Sequence, residues 1–285
     1  MKQERVALGL PESRLDSKML LNRGLGDGAS ARRCDPDVRT GECLTIRLAN
    51  TEGQRNAASM LLSRMYSWRG YGKNHSLVTS PNCVTFTAAC QDEVVGTLTL
   101  TVDSRAGLAV DATFADKIAP FRAAHGAKLC ELTKLAFDWT GSSHQHLAAL
   151  FHLVFIYGSR QFACSDLFIE VNPRHRRFYE RMLGFVRVGE VRTNASVNAP
   201  SQLMWLNVGA IRRMITENAA RPESNQRSLY RYFFSTDEED GLYGRLTGAP
   251  CRGAVPDLEV LTAYEARETS TKRLLGMLIG SRLRS

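Results

Sequence analysis

No Cys-x-x-Cys pair occurs in this 285-residue chain, and its seven cysteines (Cys34, Cys43, Cys83, Cys90, Cys130, Cys164 and Cys251) are odd in number and scattered. A secreted disulfide scaffold concentrates more cysteine in a shorter chain, so these read as reduced, mostly buried thiols of a cytoplasmic protein. Long apolar runs are also missing. The most apolar stretch, Leu147 to Tyr157, is about half the ~20 residues a membrane span needs and contains His152. It reads as a buried helix. The first twenty residues interleave charge with apolar side chains, which is not the pattern of a signal peptide. No segment repeats at a fixed period, and solenoid architectures are excluded with it.

What is present is ordinary globular material. Hydrophobic residues make up 44% and charged residues 23%, enough apolar mass for a sizeable core and too much for wholesale disorder. Lys and Arg number 37 against 29 acidic residues, a net charge of +8. That surplus favours acidic partners (nucleic acid, anionic lipid or an acidic carrier protein) without choosing among them.

Along the chain, residues 1–41 are rich in Gly, Arg and Asp and read as a flexible basic arm with one short helix near Leu15–Leu21. Residues 43–49 alternate as a strand, and apolar residues from Ala57 to Met65 then recur at helical spacing. Residues 83–90 and 94–103, joined by Gln91-Asp92-Glu93, predict an antiparallel hairpin. A partly helical connection around Ala115–Phe121 leads to a strand at 129–138, an apolar helix at 144–163 and a short buried strand at 166–171. Asn172-Pro173 supplies an N-cap and a first-turn proline for another helix, and Gly184 sits where its C-terminal cap belongs. Two further strands, 185–190 and 202–208, complete a mixed α/β domain over residues 42–208. Residues 209–285 predict a mostly helical extension, with a closing basic helix near Leu258–Leu283.

The run from Leu129 to Glu190 carries a resemblance. E-L-T-K-L-A in the strand, with VNPRHRRFYERMLGFVRVGE after the next one, resembles the N-acyl amino acid synthases, the FeeM-like branch of the GNAT acyltransferase superfamily. The match covers about sixty residues, and the order of elements extends it to about 165. The resemblance implies a mixed, mainly antiparallel twisted sheet flanked by helices. It also implies transfer of a long fatty acyl chain from acyl carrier protein to the α-amine of an amino acid. Coenzyme A users of this superfamily cradle the pyrophosphate on an [R/Q]-x-x-G-x-[G/A] turn. Here the turn reads Asp138-Trp-Thr-Gly-Ser-Ser-His144, without the leading Arg/Gln and the second glycine. A protein-borne pantetheine needs no such cradle, so acyl-phosphopantetheine on the carrier is the expected co-substrate and no bound cofactor is expected. The other readings are an acyl-homoserine lactone synthase, a coenzyme A-dependent N-acyltransferase and an acyl-binding sensor without turnover.

Thioester aminolysis needs a base for the amine, donors for the oxyanion and an acid for the departing thiolate. Glu131 is the candidate base; the alternative is an ion-paired carboxylate holding the sheet. Period-two alternation puts Leu129, Thr133 and Leu135 on its face, with Cys130, Leu132 and Lys134 opposite. Tyr179, where the resemblance puts a tyrosine near the thioester sulfur, is the candidate acid, or a tyrosine packed on Leu183. Leu132, Thr133, Lys134, Leu135 and Asn172 are assigned to the acyl-pantetheine arm. Tyr66, Arg69 and Tyr71 are assigned to the acceptor, Arg69 suiting a carboxylate through a two-point contact. Arg174, Arg176, Arg177 and Arg181 are assigned to carrier docking. His144, His146 and His152 lack the spacing of a common zinc site, and no metal is expected. No nucleic-acid module is recognisable. A basic chain with an amphipathic product is compatible with peripheral membrane association.

Overall fold

The computed structural model describes residues 38–40, 44–67, 75–77, 80–90, 93–138, 144–220 and 228–247. Their strands are β1 (Val38–Thr40), β2 (Leu44–Leu48), β3 (Cys83–Cys90), β4 (Glu93–Val102), β5 (Leu129–Phe137), β6 (Asp166–Val171), β7 (Val186–Asn194) and β8 (Ala199–Asn207). They form one sheet in the order β1-β2-β3-β4-β5-β6-β8-β7. Every pairing is antiparallel except β5 with β6. Helix α3 (His144–Phe162) makes the crossover that a parallel pair requires. Val38–Thr40, at the end of the stretch read as an arm, is an edge strand on β2. The expected helices near Leu15–Leu21 and Leu258–Leu283 lie outside the described residues.

Alternation along the strands sends side chains to two layers. Leu44, Ile46, Phe86, Leu98, Leu100, Cys130 and Leu132 pack with α3, with Tyr179 and Leu183 of α4 (Arg176–Leu183), and with Ile211 and Ile215 of α5 (Val208–Ala220). The opposite face is covered in two patches. Leu61 and Leu62 of α1 (Glu52–Ser67) meet Ala136, and Phe114, Ile118 and Phe121 of α2 (Asp111–Arg122) meet Leu129, Phe168, Leu203 and Trp205. Apolar residues wrap nearly the whole of α3 between Leu147 and Ile156, because it is enclosed on a second side. There a 3-10 turn (Leu229–Tyr232) and α6 (Thr236–Thr247) put Leu229, Tyr230, Leu242 and Leu246 into the same core.

Polar contacts fix that last segment. The Tyr230 hydroxyl donates to the Leu183 carbonyl at 2.8 Å, and the Phe234 N–H donates to His152 Nδ1 at 2.9 Å. His152 Nε2 lies 3.3 Å from Glu239, which also meets Arg212 at 3.2 Å and Arg160 at 3.4 Å. His152 is thus a core residue with both ring nitrogens engaged. Asp237, Glu238 and Glu239 of the acidic run lie in the first turn of α6, where carboxylates favour the positive end of the helix dipole.

Two irregularities position the cavity described next. In the β4–β5 ladder Thr99 pairs with Thr133 and Thr97 with Ala136, so Leu98 is opposed by both Lys134 and Leu135. This β-bulge is built on Lys134 at φ 54°, a left-handed conformation. It inverts the alternation: Leu135 and Phe137 face the α3 side with Cys130 and Leu132, and the expectation that Leu135 shares a face with Glu131 is corrected. The second irregularity is a split. β5 and β6 pair only at Leu129–Asp166, Cys130–Leu167 and Glu131–Phe168, and then separate.

Candidate active site

The split opens into a cavity of about 660 Å³, within the usual range for small-molecule sites. Leu132, Thr133, Lys134 and Leu135 line it from β5, and Ile169, Glu170, Val171 and Asn172 from β6 and its end. Leu98, Phe151 and Tyr179 make an apolar wall on the α3 side. Ala112 and Thr113 of α2, with Ala109 just before the helix, close it on one side, and Asn194 at the end of β7, with Ser196 in the turn to β8, closes it from the sheet edge.

Glu131 stands at the last paired position before the split and is 1% exposed. Its Oε2 accepts from the N–H of Ala109 at 2.7 Å and of Val110 at 3.3 Å, at the amino end of α2. Its partners among the described residues are these backbone amides rather than a Lys or Arg. Burial pushes its carboxyl up to about 8; the two amide bonds pull it down, and the charges of Glu170 and Asp111 push it further up. Asp111 is itself neutralised by Arg122, at 2.7 Å. Only Oε2 is committed to the backbone, and the side chain borders the cavity. A carboxylate so placed can receive a proton from a bound amine.

Tyr179 is 8% exposed and packs edge-on against Phe178 and Phe185, with ring centroids 5.2 and 5.9 Å away. It is both a packed tyrosine and a cavity residue. The Asn172 side chain accepts from the Arg174 N–H at 3.2 Å, capping a 3-10 turn (Pro173–His175) that runs into α4. The Tyr66 hydroxyl donates to the Leu135 carbonyl at 3.1 Å, beside the bulge, and Tyr66 meets His75 edge-on at 4.8 Å. Lys134 Nζ donates to the Ser76 carbonyl at 2.5 Å, and burial holds its ammonium below the usual lysine range.

The cavity therefore unites Glu131, Leu132, Thr133, Lys134, Leu135, Asn172, Tyr179 and Tyr66. Arg69, Tyr71 and residues 139–143 of the turn after β5 lie outside the described residues. Arg174, Arg177 and Arg181 are exposed on the segment that follows Asn172, whereas Arg176 is half-buried and pairs with Glu180 at 3.3 Å. Glu170 and Asn194 also border the cavity and were not singled out from sequence, and His175, which the sequence groups with the arginines of that helix, borders it as well. Among the described residues no group of three or more His, Cys, Asp or Glu side chains could hold a metal, and no helix is long and apolar enough to cross a membrane.

A mainly antiparallel sheet whose one parallel pair parts around a cavity, with helices on both faces, defines a GNAT-type acyltransferase. The model of the family of the N-acyl amino acid synthase FeeM matches residues 57–207. The chain belongs to this N-acyl amino acid synthase family, and it is an N-acyltransferase. The solved structure of FeeM, an N-acyl amino acid synthase from uncultured soil microbes, is similar with a TM-score of 0.53 and 28% identity, over 58% of this chain and 92% of that one. LasI, an AHL synthase, aligns with a TM-score of 0.46 and 11% identity, over 59% of this chain and 91% of its own. An N-acetyltransferase from Staphylococcus aureus gives 0.40 and 12%, over 59% and 99%. No curated protein sequence matches the chain.

Proposed function

We infer that this chain transfers a long-chain fatty acyl group from the phosphopantetheine of acyl carrier protein to the α-amine of an amino acid. The observation that carries this reading is the cavity: about 660 Å³, apolar on its α3 side, with the Glu131 carboxylate at the point where β5 and β6 part. An acetyl group would leave most of that volume unfilled.

In this mechanism the donor arm lies in the split, along the edge of β5 that has no strand partner beyond Glu131. Backbone groups there take the arm's amides and the oxyanion. The amine nitrogen loses a proton to Glu131 and attacks the thioester carbon. The C–S bond then breaks, and Tyr179 gives its proton to the thiolate and recovers one from solvent. A base whose pKa lies near the working pH suits this role. Arg174, Arg177 and Arg181 present guanidinium groups to an acidic carrier and its phosphodiester. Such a donor is met in the cytoplasm, and the amphipathic product would bring the basic chain to anionic membrane surfaces, which vesicle sedimentation reads directly.

The test is a mass-spectrometric assay of the purified chain with palmitoyl-carrier protein and the twenty amino acids, with palmitoyl-coenzyme A in parallel. An N-palmitoyl product from the carrier alone is expected. Equal product from both donors overturns the carrier assignment, and no product from either overturns the long-chain reading.

A further inference from the structure

Glu170 has no part in the mechanism above, yet its side chain borders the same cavity as Glu131. The sheet explains the proximity. Glu131 pairs with Phe168 across the parallel ladder, and Glu170 lies two residues beyond Phe168, on the same face of β6. Both carboxylates thus project toward the α2 layer from neighbouring strands where these part. Glu170 Oε1 accepts from Asn194 Nδ2, at the turn between β7 and β8, at 2.8 Å. Its other oxygen, like Oε1 of Glu131, has no hydrogen bond to the described residues.

We propose that Glu170 holds the acceptor amine: the amine enters as R–NH3⁺ and donates to the open oxygens of Glu170 and Glu131 together. This assignment rests on the reading that the acceptor is an amino acid. An ammonium group carries three N–H donors, and two carboxylates facing one cavity match it in charge and in directional acceptors. One proton passes from the ammonium to Glu131, which frees the lone pair for attack. The nitrogen's second proton leaves when the C–S bond breaks, and the thiolate takes one, so one proton is released to solvent per turnover.

The pairing also sets when Glu131 becomes a base. Glu170 and Asp111 are the anionic groups that bear on it, from β6 and α2, and Arg122 offsets Asp111. In the empty site these anions, added to burial, keep Glu131 protonated near neutrality. An arriving ammonium brings the opposite charge and favours the carboxylate. The base is thereby generated by the substrate it serves.

Glu170→Gln deletes the charge and keeps an oxygen for Asn194, so it separates ammonium binding from anchoring of the turn. Two measurements on the full chain suffice, and neither needs turnover. Equilibrium dialysis against an equimolar mixture of the twenty amino acids, read by mass spectrometry, should show retention by the unmodified chain and at least about tenfold less by E170Q. A carbon-13 NMR titration of labelled glutamate carboxyls, with the Glu131 signal identified by its loss in E131Q, should show the Glu131 midpoint at lower pH in E170Q. Equal retention, or an unmoved midpoint, overturns the proposal, as does a chain that retains no amino acid. If the chain makes N-palmitoyl amino acids and E170Q does so with unchanged acceptor KM, this inference fails and the function stands. If no donor yields product while retention still depends on Glu170, the function fails and the ammonium site stands.

Discussion

A carboxyl group lifted to about 8 by burial keeps its proton in the folded chain across a range in which the unfolded chain, titrating near 4.5, has lost it. Between those values the folded state binds more protons, so stability falls as pH rises, and the fall levels off above about 8. Glu131→Gln should flatten this slope and leave the variant more stable than the parent chain at pH 9, as urea titrations from pH 5 to 9 would read. The same substitution should lower kcat by about 10²–10⁴-fold, the usual contribution of a general base. Tyr179→Phe should slow kcat by about tenfold or more with acceptor KM unchanged, because a proton donor to the leaving group does not touch the acceptor. Glu131 and Tyr179 were legible because each sits in a recognisable string. Glu170 was not. The sequence DLFIEV marks it as one more residue of a buried strand, and its place beside Glu131 follows only from the parallel register of β5 and β6.

Among the elements, the hairpin of β3 and β4, the strand–helix–strand unit of β5, α3 and β6, and both caps of the helical segment after Asn172 were readable from alternation, spacing and cap residues. The Lys134 bulge was not, because lysine carries no turn signature and the left-handed backbone there is imposed by pairing with β4. One unpaired residue reverses the facing of the rest of β5. Deleting Lys134 should therefore set Leu135 opposite Leu98 in unbroken alternation, with Leu135 and Phe137 still in the α3 core, so the cooperative thermal transition should survive while activity falls with the loss of the bulge that borders the cavity. Gly184 is a milder test. It closes α4 at φ 77°, and an added Cβ would stand 3.1 Å from Met214 Sδ. Gly184→Ala should cost about 1 kcal/mol or somewhat more, measurable as a lowered denaturation midpoint.

On the scale of the whole molecule, residues 228–247 are joined to the rest by a charge cluster that acid weakens. Burial holds His152 below the usual imidazole range. Glu239 also lies below its usual range: burial raises it, but the His152 hydrogen bond and the charges of Arg212 and Arg160 outweigh that. Both groups are depressed, so their stabilising contribution is present at neutral pH. It is lost as pH falls, first below about 6.5 for His152 and later for Glu239. Hydrogen exchange corrected for its intrinsic pH dependence should show residues 228–247 opening more readily at pH 5 than at pH 7. Glu239→Ala, which strands partly exposed Arg160 and Arg212, should cost about 2–3 kcal/mol.

This segment also has a consequence in time. Synthesis runs from the amino end, so α3 leaves the ribosome some seventy residues before the side chains that cover it, Leu229, Tyr230, Leu242 and Leu246. Until they arrive, the flank of α3 that they bury has only solvent or a chaperone to face. The nascent protein therefore passes through a stage in which its sheet can pair but its core cannot close. A stop codon placed after residue 220 would hold the chain at that stage.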